Sequence, residues 1–323
     1  MNEAAREVSD VGADDIVLPY AVESLSSRGR VVRLGPTIDA IIKRHNYPEP
    51  VSRLLAEAAT LAVLLGASLK LEGRFQLQTK TAGPVGMLLV DFDAPSNLRA
   101  LARFDAAALA ALPASAGAGA LLGDGYLAFT VDPGGDLSRY QGVVALEGQN
   151  LQDAAHAYFE RSEQIPTLVR LAVGQSVTPR GVEWRAGGLL AQFLPDSPER
   201  LRRRADLDPG DAPPGTPRDD TPEDDEWVEA KSRAATTEDH ELIDPGLSSE
   251  RLLFRLFNER GVRVFEPKAL ADVCRCSAER IDEMLQNFSA EERSAMIGDD
   301  GMIGVTCEFC SIKRVFDPAD FAE

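Results

Sequence analysis

Cys274-Arg275-Cys276 and Cys307-Glu308-Phe309-Cys310 hold all four cysteines of this 323-residue chain. The first 273 residues have none, and 30 residues, Ser277 to Thr306, separate the two pairs. Pairs of thiols joined by a stretch long enough for a helix or two and a hairpin suit a tetrahedral Zn2+ site in which protein fills every position. That is the arrangement of structural rather than catalytic zinc. Free cysteine also packs as a small buried hydrophobe, but core cysteines have no reason to fall in two tight pairs at one end of a chain. A thioredoxin-like use of Cys307 and Cys310 needs a βαβ context and a helix N-terminus at the first thiol. Here Asp299-Asp300-Gly301 and Met302-Ile303-Gly304-Val305 read as a hairpin ahead of Cys307, and no helical period follows. We expect Cys274, Cys276, Cys307 and Cys310 to hold one Zn2+ in the reduced chain.

Around the cysteines, residues 262–323 read as a small domain. Val262, Val264 and Phe265 suggest a strand, Ile281, Met284 and Leu285 a helix, and Ser289-Ala290-Glu291-Glu292 is a capping box that opens another. About 60 residues with few large apolar side chains is a size at which a domain often needs a staple. Upstream, residues 197–261 read as a linker. Ala205 to Glu250 carries 15 acidic residues against Arg218, Lys231 and Arg233, a net of -12 out of the chain's -18. Pro209, Pro213, Pro214, Pro217 and Pro222 oppose packed structure in its first half. Charge alone favours a solvated tether, with a conditionally folded region as the sharper alternative. Leu252, Leu253, Leu256 and Phe257 form a helical stripe at its end.

Residues 20–196 read as a large α+β domain, an antiparallel sheet with flanking helices, after a disordered N-terminus over 1–19. Ala21–Leu25 and Gly29–Arg33 are predicted strands around a Ser27-Arg28-Gly29 turn, and Ile38, Ile41 and Ile42 mark a short helix. Val51, Leu54, Leu55, Ala58, Leu61, Ala62, Leu64 and Leu65 follow the i, i+3, i+4 spacing of a long helix that should cover one face of the sheet. Short β-type runs follow at 74–79, 85–90, 98–104, 126–131 and 142–146, joined by turn signals that argue for antiparallel order. An Ala-rich insert over 106–122, a helix from Leu151 to about Glu163 and two strands at 182–184 and 189–194 complete the domain.

A net charge of -18 opposes nucleic acid or an anionic membrane as main partner, since phosphate binding rests on clustered Lys and Arg. No apolar run approaches the roughly 20 residues that span a bilayer. The polar start lacks the form of an export signal, so a reducing cytoplasm is expected. His45, His156 and His240 lie in separate regions without a catalytic motif around them, Gly134-Gly135 and Gly187-Gly188 read as turn or strand-bend glycines, and no enzyme is expected.

The cysteine motifs, together with Tyr158-Phe159-Glu160-Arg161-Ser162-Glu163-Gln164-Ile165-Pro166-Thr167 and Gly187-Gly188-Leu189-Leu190-Ala191-Gln192-Phe193-Leu194-Pro195, resemble the redox-regulated 33 kDa heat-shock chaperonin family. The similarity runs from about Tyr20 to Phe316. Where the family usually has Gly directly after the last cysteine and Tyr three residues later, this chain has Ser311 and Arg314. The resemblance implies an ATP-independent holdase. Oxidation would form Cys274–Cys276 and Cys307–Cys310, expel Zn2+, unfold the small domain and then the linker, expose apolar surface to unfolded clients and favour a homodimer. Spacing by itself leaves three disulfide connectivities open. Two other readings are a zinc-ribbon adaptor indifferent to redox state and a CxxC thiol oxidoreductase.

Overall fold

The structure, a computed structural model, describes residues 14–68, 73–134, 138–179, 181–195 and 224–321. The expected disorder of residues 1–13 and the Pro-rich half of the linker up to residue 223 lie outside these. From the N-terminus, β1 (Ile16–Val22) and β2 (Ser27–Leu34) form a hairpin that pairs Tyr20 with Gly29. Residues 16–19, expected to be disordered, are thus part of a strand. The turn is a 3-10 turn at Glu23–Leu25 closed by Ser26 at φ 45°, and Ser27-Arg28-Gly29, expected as the turn, is inside β2. Helices α1 (Pro36–His45) and α2 (Glu49–Gly66) follow, each with proline in its first turn, where the missing N–H costs nothing.

A second set of strands comes next: β3 (Arg74–Thr81), β4 (Met87–Asp93), β5 (Asn97–Arg103), the short helices α3 (Ala106–Ala110) and α4 (Ala118–Leu122), then β6 (Asp124–Asp132) and β7 (Tyr140–Glu147). Helix α5 (Leu151–Tyr158) runs into a π turn at Phe159–Glu163 and leads to the long strands β8 (Thr167–Thr178) and β9 (Gly181–Phe193). One six-stranded sheet contains the path β1-β2-β9-β8, and the other contains β5-β4-β3-β6-β7. Helix α2 touches β2, β8 and β9 of the first and β3, β4 and β5 of the second. It does not cover one face of a single sheet; it is the layer between two, which is why it is apolar almost all round.

The outer face of the first sheet is covered by the second half of the linker. Helices α6 (Asp225–Ala235), α7 (Asp239–Ile243) and α8 (Ser249–Phe257) bury Trp227, Leu242, Leu252, Leu253, Leu256 and Phe257 against Leu18, Tyr20, Val31, Leu189 and Phe193. The tether reading fails for these residues. The apolar positions are few but are all directed at one face, and each fully buried large one contributes roughly 1.5–3 kcal/mol.

Beyond α8 the chain is stitched into both sheets before it reaches the cysteines. Strands β10 (Arg263–Val264) and β11 (Lys268–Ala269) pair antiparallel with β1, and β12 (Ala271–Asp272) pairs parallel with β5. Helices α9 (Ala278–Gln286) and α10 (Ala290–Ala295) and the hairpin of β13 (Ile303–Thr306) and β14 (Lys313–Phe316) complete the fold. Their own core is only Ile281, Leu285, Ile303 and Phe321.

Two further expectations change. The sequence reading has no strand over Thr167–Thr178, where β8 runs. It also splits 181–193 at Gly187-Gly188, where the structure has one continuous strand. Those glycines are not bends. A Cβ at Gly187 would lie 2.1 Å from the Leu242 carbonyl oxygen of the docked linker, and one at Gly188 would lie 2.8 Å from Leu64 and Thr60 of α2. Each face of β9 is approached too closely for a side chain.

Candidate metal centre

Cys274 and Cys276 follow β12 directly, so the first thiol pair is held at the edge of the second sheet. Ser277 then caps α9 by accepting from the Arg280 amide. Cys307 and Cys310 occupy the tip of the β13–β14 hairpin. There the Ser311 amide donates to the Cys307 carbonyl at 2.8 Å and the Cys307 amide to the Ile312 carbonyl at 3.1 Å. Ser311 adopts φ 57°, the left-handed region that favours glycine.

The turn and the strand edge bring all four sulfurs within 4.8 Å of one another. Cys274 and Cys307 Sγ are 3.7 Å apart, and Cys276 and Cys310 Sγ are 3.2 Å apart. Sulfurs tetrahedrally placed about 2.3 Å from a metal are separated by about 3.8 Å, so the set fits a four-thiolate site. Among the described residues it is the one group of His, Cys, Asp and Glu that could hold a metal ion. These close contacts join one motif to the other rather than neighbours within a motif. Cys310 is buried, and the other three thiols are half-buried.

Two arginines face the sulfurs. Arg314 Nη1 donates to Cys276 Sγ at 3.3 Å and its Nη2 to the Cys276 carbonyl at 3.1 Å, while Arg99 Nη1 lies 3.8 Å from Cys274 Sγ. Burial pushes the Cys274 thiol up, but the Cys276 amide and thiol, Arg99 and Cys307 outweigh it and bring the group down to about 7. Burial and the surrounding thiols push Cys276 up to about 12. Four thiolates around a divalent cation would carry a net charge of -2, which the two guanidiniums are placed to offset.

Arg99 also ties the site to the core. Its guanidinium lies 4.0 Å over the Phe309 ring and 2.5 Å from Asp91, whose side chain is almost fully buried. Arg275, between the first two cysteines, reaches Asp91 at 3.1 Å and Asp93 at 3.0 Å. Arg103 pairs with Glu308 at 2.7 Å and Arg44 with Asp272. Sequence reasoning missed Arg44, Asp91 and Arg99 because they come from α1, β4 and β5, and no spacing rule connects them; Arg314 stood out as a departure from the family pattern, without its contact to Cys276. Arg275 had a signal too, its place inside C-x-C.

No histidine joins the thiols, though His45 reaches the Phe309 backbone between Cys307 and Cys310. His45 Nε2 is 3.1 Å from the Ala100 carbonyl and its ring stacks on Tyr47, His156 Nε2 accepts from the Val169 amide at 2.8 Å, and His240 is exposed beside Glu238. His156 therefore fixes α5 to β8 as a packing residue.

A family model described as Hsp33 protein matches residues 15–317. A 33 kDa chaperonin of Caulobacter vibrioides is 46% identical over 94% of this chain and 95% of its own length. That of Aliivibrio salmonicida is 32% identical, covering 96% and 95%. The crystal structure of the 33 kDa chaperonin of Thermotoga maritima superposes with a TM-score of 0.74 at 19% identity, covering 95% of this chain and 96% of that one, and so supports the fold. With the family model spanning both sheets and the thiol cluster, the chain belongs to the Hsp33 family.

Proposed function

We propose that this protein is a redox-regulated, ATP-independent holdase of the cytoplasm, held inactive by one Zn2+ on Cys274, Cys276, Cys307 and Cys310. The observation that carries the reading is the convergence of four thiols at the end of a segment sewn through β10, β11 and β12 onto both sheets. Bound Zn2+ would supply folding free energy, on the order of 10 kcal/mol in small Cys-rich domains. The four-residue apolar core of the module cannot replace that.

Oxidation then acts through the chain's own residues. Peroxide takes one thiolate to sulfenate and releases water; the neighbouring thiol displaces a second water equivalent to form a disulfide, so each bridge uses one peroxide. The bridges Cys274–Cys276 and Cys307–Cys310 are those that the family resemblance implies. Loss of the thiolates removes what Arg99 and Arg314 face, and β10–β12 lose their anchor. Helices α6, α7 and α8 are too short to persist alone. Their departure uncovers Leu18, Tyr20, Val31, Leu189 and Phe193 for unfolded clients or for a second copy of the chain. The acidic linker keeps the loaded form soluble.

The test treats reduced, zinc-loaded protein with peroxide and follows zinc release beside suppression of aggregation of a thermally unfolding client. Concerted zinc release and gain of protection is expected. Protection without release would favour a constitutive adaptor, and turnover of a disulfide substrate without release would favour an oxidoreductase.

A further inference from the structure

Glu23, Arg28, Arg30, Arg263 and Phe265 line a hollow of about 310 Å3 beside the β1–β2 hairpin, remote in sequence from the cysteines. Arg28 and Arg30, two apart on β2, point to the same face. Arg263 arrives from β10, paired with Ala21, and the Phe265 amide donates to the Pro19 carbonyl at 3.0 Å. Three arginines and one carboxylate thus line the hollow, and Glu23 is bound to Arg263 at 3.1 Å.

Arg30 is the informative residue. Its Nε and Nη1 are covered and meet no hydrogen-bond acceptor. Arg74, Arg170 and Arg275 also have a covered nitrogen without a hydrogen-bond partner, but each of them forms an ion pair, with Asp93, with Asp239, and with Asp91 and Asp93. Other covered arginines are fully engaged. Arg33 donates to the Ser249 hydroxyl and to the carbonyls of Glu241, Leu242 and Asp244, Arg185 to Asp14 and the Ile243 carbonyl, and Arg99 to Asp91. A covered guanidinium without an acceptor costs more than it returns, and it is retained here in a chain with 52 acidic residues. Burial, then the charge of Arg28, draws Arg30 down to about 10, so it stays cationic at neutral pH.

We propose that this hollow binds a small phosphate-bearing anion, held by Arg28 and Arg30 from β2 and Arg263 from the strand that leads to the cysteine module. The volume exceeds that of one oxyanion and is at the lower end for small-molecule sites. Guanidinium forks match phosphate oxygens, and three of them around one point suit the several acceptors of a phosphate better than the two of a carboxylate. An anion there bridges β2 to β10 and stabilises the docked arrangement by mass action. This inference does not depend on the holdase reading.

The experiment uses full-length, reduced, metal-loaded protein, with pyrophosphate as the probe at constant ionic strength set by sodium chloride. Titration calorimetry should show saturable 1:1 binding, and amide exchange at Phe265 should slow by about 100-fold when the probe is at a hundred times its Kd. Arg30→Met should weaken binding by about tenfold or more, the loss of one charge-assisted hydrogen bond, while raising Tm without the anion. Arg28→Gln, at an exposed position, gives a second readout that leaves packing intact and should also weaken binding. Absence of saturable binding, unchanged affinity in both variants, or equal binding of succinate would overturn the proposal.

Discussion

Ser311 carries a Cβ at the left-handed position just after Cys310, where its amide closes the turn onto the Cys307 carbonyl. A residue other than glycine pays roughly 1 kcal/mol for that conformation, so Ser311→Gly should stabilise the metal-loaded module by about 0.5–1 kcal/mol. Chelator titration followed by circular dichroism would show the transition at higher chelator, and a shift to lower chelator would contradict the strain argument. Glu57 on α2 offers a pH test. Burial, then Asp239, raises its carboxyl above 4.5 to about 7, with Arg53 opposing. Between those pH values the native state holds a proton that the unfolded chain has released, so this group's contribution to stability declines as pH rises from about 4.5 through 7. Glu57→Gln should therefore gain stability over the parent with rising pH, on the order of 2 kcal/mol by pH 8. Parallel denaturant titrations at pH 5 and 8 that give the same difference would refute it.

At the scale of elements, Arg33 of β2 is 1% exposed and holds the linker by donating to the carbonyls of Glu241, Leu242 and Asp244 at the end of α7 and to the Ser249 hydroxyl at the start of α8. Arg33→Met leaves those carbonyls without a donor, each costing about 1 kcal/mol or more. Amides of 225–257 should exchange about 30-fold faster while those of β3 and β6 do not change; uniform acceleration would mean that Arg33 supports the core instead. The same region shows what sequence can reveal. Helix α2, the strands β3 to β7 and the pairing of cysteines were legible because each is periodic or closely spaced. Strand β8 was not, since Thr167–Thr178 is partly exposed on both faces and lacks clean alternation. The docking of α6 escaped notice because Trp227, Ala230 and Ala234 are thinly spread among acids, and what makes them a stripe is the sheet beneath. Gly187 looked like a bend because the linker carbonyl that demands it lies 55 residues downstream.

For the whole molecule, the order of layers is the argument. The second sheet, α2, the first sheet and the linker helices stack in that sequence, and the thiol cluster sits where the chain has just passed through both sheets. The cysteine module thus borrows its footing from the core, through Asp91, Arg99 and Arg275. Chelating the metal without oxidant should unfold residues 274–321, seen as loss of dispersed signals from Ile281, Ile303 and Phe321 in a methyl and aromatic NMR spectrum while those of β3 and β6 persist. The most direct test of the central claim is amide exchange at Ala230, Leu252 and Leu256 in zinc-loaded protein before and after peroxide. The account predicts that protection of these three is lost together with zinc while β3 and β6 keep theirs; helices that stay protected after the zinc has gone would contradict it.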